Sequence, residues 1–284
     1  MNKIGFNVLA WSAVVSKDLL PILDRLREIG YDGVEFLIGS PDEAAYRTVG
    51  RHAQDIGLEV TTVFVLNAEE NIIDPSAAVR QQGLERLRWA IDRAHDLNAS
   101  LMCGPFHSAF ATFAQHAPQE QEYDRSAEAL HATGDYAAPA NVLLTPEALN
   151  RFECYLCNTM EQLKHLVTKV DHPQVQAMFD THHANIEEKK IDGALLTIAP
   201  HLRHVHISEN DRGTPGEGHV PWDETFARLA AMDYQGWLTI EGFTRNDPDF
   251  ANAINVWREF AQPWHMAERG LAFIREMLQK HAPK

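Results

Sequence analysis

From one end to the other the chain alternates short β-branched or apolar runs with longer amphipathic stretches, and nothing else restricts its possible folds as much. Repeated βα units of this kind build a parallel sheet covered by helices. Strands are predicted at 4–7, 33–36, 59–64, 101–104, 142–145, 175–180, 202–207 and 238–241. Helical periodicity fills the gaps: Leu19, Ile22, Leu23 and Leu26 fall at i, i+3, i+4 and i+7. Asp18 is the expected N-cap of that helix in preference to Ser16, because Pro21 is tolerated only in a first turn, and Gly30 is the expected stop. Similar patterns cover 78–97, 160–170 and 257–278, whereas 110–136 reads as a long loop followed by the fourth helix, a candidate lid. Eight strands in steady alternation, with no Pro/Gly/Ser-rich linker and no shift in composition, favour a closed (β/α)₈ barrel over an open sheet, as a single domain over 1–284.

Charge and composition narrow the partners. A formal net charge of −15 repels polyanions, which argues against a nucleic-acid partner or an anionic membrane surface and weakly favours a neutral small substrate over a phosphorylated one. No run of 18 apolar residues occurs, so no membrane span is expected. Asn7 interrupts the apolar run at the N-terminus and no clear small-x-small cleavage site follows, so the segment reads equally well as a first strand. Three cysteines are too few and of the wrong parity for a disulfide framework, in keeping with a reducing compartment, and the expected location is cytoplasmic. Cys154 and Cys157 form a C-x-x-C, but with no second pair and no redox-type context, packing is the expected role.

In a barrel of this kind chemistry sits where the strands end at their C-termini. The fifth strand runs into Glu147, the sixth ends at Asp180, the seventh carries His206 and the eighth ends at Glu241; their spacings of 33, 26 and 35 residues each match about one βα unit of roughly 30 residues. Any one of these residues alone is better read as a core histidine or a capping acid. Together at strand ends they form an oxygen-rich site suited to Mn²⁺, with Mg²⁺ or Co²⁺ as alternatives and zinc less favoured. His204 shares a strand face with His206, but the latter is nearer the mouth and is the better ligand.

Four segments carry a specific resemblance: 147–153 (EALNRFE), 180–188 (DTHHANIEE), 204–212 (HVHISENDR) and 215–222 (PGEGHVPW), with EGF at 241–243 and VWR at 256–258 continuing it. They resemble the D-tagatose 3-epimerase and D-psicose (allulose) 3-epimerase family of xylose isomerase-like TIM barrels. The likeness spans the chain and is dense from Glu147 to Arg258. It implies that Glu147, Asp180, His206 and Glu241 hold the metal, that Glu147 and Glu241 double as acid and base, and that Glu153, His183 and Arg212 hold substrate oxygens. It also implies homodimers or homotetramers, with 257–278 as a candidate contact. Without the likeness, Arg212 reads as a solvated loop charge and Glu153 as a helix-start acid. The implied chemistry is physically coherent: a cation chelated by a sugar's carbonyl and neighbouring hydroxyl makes the adjacent C–H labile, and epimerisation needs one proton-transfer group on each side. The fifth and eighth strands are three steps apart on an eight-strand ring, about 135° around the axis, so Glu147 and Glu241 can flank a substrate.

The chain departs from the family pattern where the far end of the substrate would lie, at 5–11, at 64–67, at Gly242 and at His182, where the family usually has phenylalanine. Phe6, Trp11, Phe64, Phe106 and His107 are candidate walls for the sugar, although core packing is the commoner fate of such aromatics. Rival readings are a hydroxypyruvate or aldose–ketose isomerase or an inosose-processing enzyme on the same scaffold, an endonuclease-IV-like nuclease, which the net charge opposes, and a non-catalytic sugar-binding protein.

Overall fold

A computed structural model describes residues 2–282; Met1, Pro283 and Lys284, which the expected 1–284 domain includes, lie outside the described residues. Eight parallel strands are present: β1 Lys3–Asn7, β2 Gly33–Leu37, β3 Glu59–Val63, β4 Ala99–Gly104, β5 Leu143–Pro146, β6 Ala177–Asp180, β7 Leu202–Ile207 and β8 Trp237–Ile240. They hydrogen-bond in the order β5-β4-β3-β2-β1-β8-β7-β6. The ends of that row meet through an isolated bridge, Leu144 with Val175, held by Leu144 N to Gln174 O at 2.9 Å and Gln176 N to Leu144 O at 2.8 Å. The barrel thus closes through a narrow seam between β5 and β6.

Helices α1 Leu20–Ile29, α2 Glu43–Asp55, α3 Ala77–Asp96, α4 Glu120–Ala137 and α5 Met160–Val170 follow β1 to β5 in turn. Beyond β6 come α6 Thr181–Glu187 and α7 Ile191–Ile198, beyond β7 α8 Trp222–Ala231, and beyond β8 α9 Pro248–Ala253 and α10 Pro263–Lys280. None of the described helices is long and apolar enough to cross a membrane. The main core lies between strands and helices, where Tyr31, Phe36, Tyr46 and Phe179 are fully buried. Burying one large apolar side chain contributes roughly 1.5–3 kcal/mol.

Strand parity puts alternate residues inside the barrel. On β7, His204 and His206 face inward while Val205 and Ile207 join the outer core. On β1, Gly5 and Asn7 face inward, and a Cβ on Gly5 would sit 2.7 Å from Thr239 Oγ1, so any side chain there would force Thr239 to shift.

Two helix boundaries differ from expectation. Ser16, not Asp18, supplies the cap: its hydroxyl accepts from Asp18 N at 3.3 Å and opens a 3₁₀ turn, Lys17–Leu19, from which α1 continues with Pro21 in its first turn. The turn satisfies Pro21 as well as a later cap would. The helix expected at 257–278 begins at Pro263, because the proline occupies the first turn and the stretch from Val256 to Gln262 is irregular. Gly30 ends α1 in the left-handed region at φ 102, as expected.

Candidate active site

The strand ends of β5 to β8 bring Glu147, Asp180, His206 and Glu241 together, and all four are buried. Asp180 ends β6 and caps α6. Its Oδ1 accepts from His182 N at 2.6 Å and His183 N at 3.1 Å. That leaves Oδ2 to accept from Ser208 Oγ at 3.0 Å and Arg212 Nη1 at 3.1 Å, and it lies 3.5 Å from His206 Nδ1. Glu241 Oε2 is 3.4 Å from the same Nδ1 and 2.8 Å from Arg212 Nη1. Glu147 Oε1 lies 4.0 Å from His206 Nδ1 and 3.7 Å from His183 Nε2. The backbone holds Glu147 in place: its N–H donates to Gly104 O at 2.9 Å, and its carbonyl oxygen is 2.8 Å from His107 Nε2.

Glu147, Asp180 and His206 each offer a ligand atom within 4.8 Å of the others. Two of those atoms, Glu147 Oε1 and His206 Nδ1, are buried without a hydrogen-bond partner. Buried polar atoms are rarely left unpaired, so a converging unpaired carboxylate oxygen and imidazole nitrogen fit a divalent cation.

The electrostatics agree. Burial pushes the Glu147 carboxyl well above the usual range; His206 opposes this, and repulsion from Asp180 and Glu241 adds to it. Against burial, Arg212 and then His183 hold Asp180 well below its ordinary value. Against burial, Glu241 and Glu35 raise His206 well above its own. Such a ring of acids around one imidazole draws in positive charge, which a metal supplies on displacing protons.

Glu35, on β2, is a residue that sequence reasoning missed. Its Oε1 is 2.8 Å from His206 Nε2, its Oε2 is 3.0 Å from His204 Nε2, and Asn7 Nδ2 and Thr61 Oγ1 donate to it at 3.0 and 2.9 Å. A carboxylate on Nε2 fixes the imidazole and turns Nδ1 toward the three acids, the arrangement common behind metal-bound histidines. Glu35, Cys103, His204 and His206 also cluster as potential ligands. Burial, followed by the charge of Glu35, keeps the Cys103 thiol well above its usual value, so it stays protonated and ligates poorly; this layer is hydrogen-bonded support beneath the site.

A cavity of about 500 Å³ opens above. Of the four strand-end groups, Glu147 and Glu241 line it, whereas Asp180 and His206 lie below. Glu153, His183 and Arg212 also line it. Asn150, a second residue missed earlier, joins two of them: Nδ2 donates to Glu153 Oε1 at 2.9 Å, while Nδ2 and the backbone N–H lie 2.9 and 3.1 Å from His183 Nδ1. Arg212 Nη2 is 2.8 Å from His183 Nε2, and its guanidinium lies 4.9 Å from the Phe243 ring centroid. Arg212 adopts φ 64, a left-handed conformation costing about 1–2 kcal/mol for a residue with a Cβ. His182 reaches the cavity as a neutral ring; burial and then Arg212 push it down to about 4.

The sequence-predicted walls lie elsewhere. Asn7 points into the barrel, so Phe6 faces outward, 5.5 Å from the Tyr31 ring and 5.2 Å from Trp11, which in turn packs on Trp264 at 4.6 Å. His107 is fully buried against Glu147 and Ser108, and Phe64 and Phe106 belong to the outer core. Phe110 of the candidate lid does line the cavity. A larger cavity, about 630 Å³, lies at the opposite end of the barrel between α8 and α10. The convergent acids and histidines are not there, and the strands' C-terminal end is where barrels of this class react.

Comparison with known proteins points the same way. The family model for xylose isomerase-like TIM barrels matches residues 23–277. An L-ribulose 3-epimerase from Mesorhizobium japonicum is 30% identical over 278 residues, 96% of this chain and 93% of that one. A solved L-ribulose 3-epimerase structure superposes with a TM-score of 0.92 at 28% identity, covering 99% of this chain and 96% of the other. The D-allulose 3-epimerase from Methylomonas sp., solved in complex with D-allulose, gives 0.89 at 28%, covering 97% of each.

Proposed function

We propose that this chain, which belongs to the xylose isomerase-like TIM barrel family and within it to the ketose 3-epimerases, interconverts free ketoses by inversion at C3, with one divalent cation bound. It is an isomerase-class enzyme, and the names of its relatives, L-ribulose 3-epimerase among them, support a reaction at C3 of a ketose. Glu147, Asp180, His206 and Glu241 are the residues that would hold the cation, with Mn²⁺ as the first choice and Mg²⁺ or Co²⁺ as alternatives. When bound, the cation supplies Lewis-acid stabilisation of the charge that develops on the substrate's carbonyl oxygen.

The protein's own groups do the rest. In one direction Glu147 takes the C3 proton on one side of the sugar and Glu241 returns one from the other; the reverse reaction exchanges the roles. The observation that carries this assignment is the placement of these two acids, out of the four, on the cavity wall. Burial raises the Glu147 carboxyl well above its ordinary value, the direction that favours proton transfer by a carboxyl group. His183 and Glu153, linked through Asn150, and the guanidinium of Arg212 orient the hydroxyls beside the reacting carbons. We expect a cytoplasmic homodimer or homotetramer, consistent with three buried free cysteines and with Phe152 and Trp257 exposed by 73% and 69%.

The experiment is to incubate the manganese-loaded protein with free ketohexoses and ketopentoses in deuterated water and locate the exchanged carbon. Deuterium at C3 with C3-inverted product is the expected result. An aldose product with exchange at C1 points instead to an isomerase on the same scaffold.

A further inference from the structure

The cavity wall is divided. The side over β5 to β7, together with Glu241 at the end of β8, carries the charged and hydrogen-bonding groups described above. On the other side Leu9, Leu37, Val63, Val65, Phe110 and Phe243, at or beyond the ends of β1, β2, β3, β4 and β8, present an apolar surface. Phe250, Ile254, Val256 and Phe260, from the segment after β8, also line the cavity and pack with Leu9, Val63 and Phe243 in one apolar cluster. That segment brings two polar side chains to the cavity, Asn255 and Arg258; both residues are exposed, and the Arg258 guanidinium lies 4.5 Å from the Phe260 ring centroid.

With the reacting carbons between Glu147 and Glu241 and their hydroxyls on Glu153, His183 and Arg212, the apolar side is the wall left for the substrate's remaining carbons. Resting on the 3-epimerase reading, we propose that the apolar side is a subsite for an alkyl end and that the chain acts best on ketoses whose terminal carbon is a methyl group, the 6-deoxyketohexoses. A hydroxyl buried there gives up its hydrogen bonds to water and meets apolar side chains in return. A methyl group gives up none and gains contact. Stacking of the sugar's C–H face on Phe110, Phe243 or Phe260 is common to both members of a matched pair, so it does not blur the comparison. Apolar pockets discriminate against an added hydroxyl only modestly, so the expected preference is about tenfold to a hundredfold in kcat/KM.

The test compares each ketohexose with its own 6-deoxy form: L-tagatose with L-fuculose, L-fructose with L-rhamnulose, and D-fructose with 6-deoxy-D-fructose. Deuterium incorporation at C3 and kcat/KM are read for the metal-loaded protein. The expected result is a kcat/KM, counted per open-chain sugar because a 6-deoxyketohexose cannot close a pyranose ring, about tenfold or more higher for the 6-deoxy member of each pair that exchanges. Equal or higher values for the parent sugars, with exchange at C3, overturn the alkyl subsite and leave the 3-epimerase reading standing. Absence of C3 exchange from every sugar overturns both. Val65→Thr, which places a hydroxyl on a half-buried position of the wall at nearly constant shape, should narrow the ratio by raising kcat/KM on the parent sugars. A ratio that stays unchanged while C3 exchange persists counts against the subsite.

Discussion

The two halves of the cavity wall are built by different rules. Over β5 to β7, with Glu241 at the end of β8, most polar groups are tied to one another: Asp180 caps α6 with one oxygen and faces Arg212 with the other, Glu241 meets the same guanidinium, and Asn150 joins Glu153 to His183. Such networks fix positions closely, because a group that loses its partner stays buried and unsatisfied. Beyond Glu241, over β1 to β4 and the segment after β8, the wall is held by apolar packing, which specifies shape more than direction. The contrast suggests that chemistry is confined to the first half and substrate choice to the second.

The largest expected effect strikes the first half. Glu147→Gln and Glu241→Gln should each lower C3 exchange by about 10² to 10⁴, the usual worth of a positioned acid or base, with the circular dichroism spectrum unchanged. Near-normal exchange in either variant would break the division. Next, Glu35→Gln keeps the shape beneath His206 and removes the charge. Its expected cost is about tenfold to a hundredfold in Mn²⁺ affinity by titration calorimetry. Unchanged affinity would limit Glu35 to packing. The smallest effect belongs to the second half: Ile254→Ala should raise KM about fivefold, roughly 1 kcal/mol of apolar contact, with a lesser change in kcat. A fall in kcat larger than the rise in KM would show that the apolar wall takes part in the reaction step.

Much of this arrangement was legible in the sequence, for identifiable reasons. The alternation of strand and helix patterns located all eight strands to within a few residues, because parallel barrel strands are short, apolar and regularly spaced. The convergence of Glu147, Asp180, His206 and Glu241 was legible because a barrel repeats its strand ends at its own period. Glu35 was missed although it carried a signal: a lone acid inside the apolar run GVEFL of a strand buried on both faces demands a partner. Asn150 gave no comparable sign, since a polar loop residue is ordinarily solvated. The aromatic walls failed on parity. Once Asn7 is assigned to the barrel interior, Phe6 must face the helices. The late start of α10 was marked by Pro263, a residue at home in a first turn and costly further in.

The gap between β5 and β6, crossed by a pair of backbone bonds at Leu144, has Glu147 on one bank and Asp180 on the other. An ion gripped by both would rivet the barrel at its weakest joint. Chelation should then do more than silence the enzyme: it should lower the melting temperature and speed amide-proton exchange at Leu144 and Gln176 ahead of the other strands, since a ligand that favours the folded state adds to its stability.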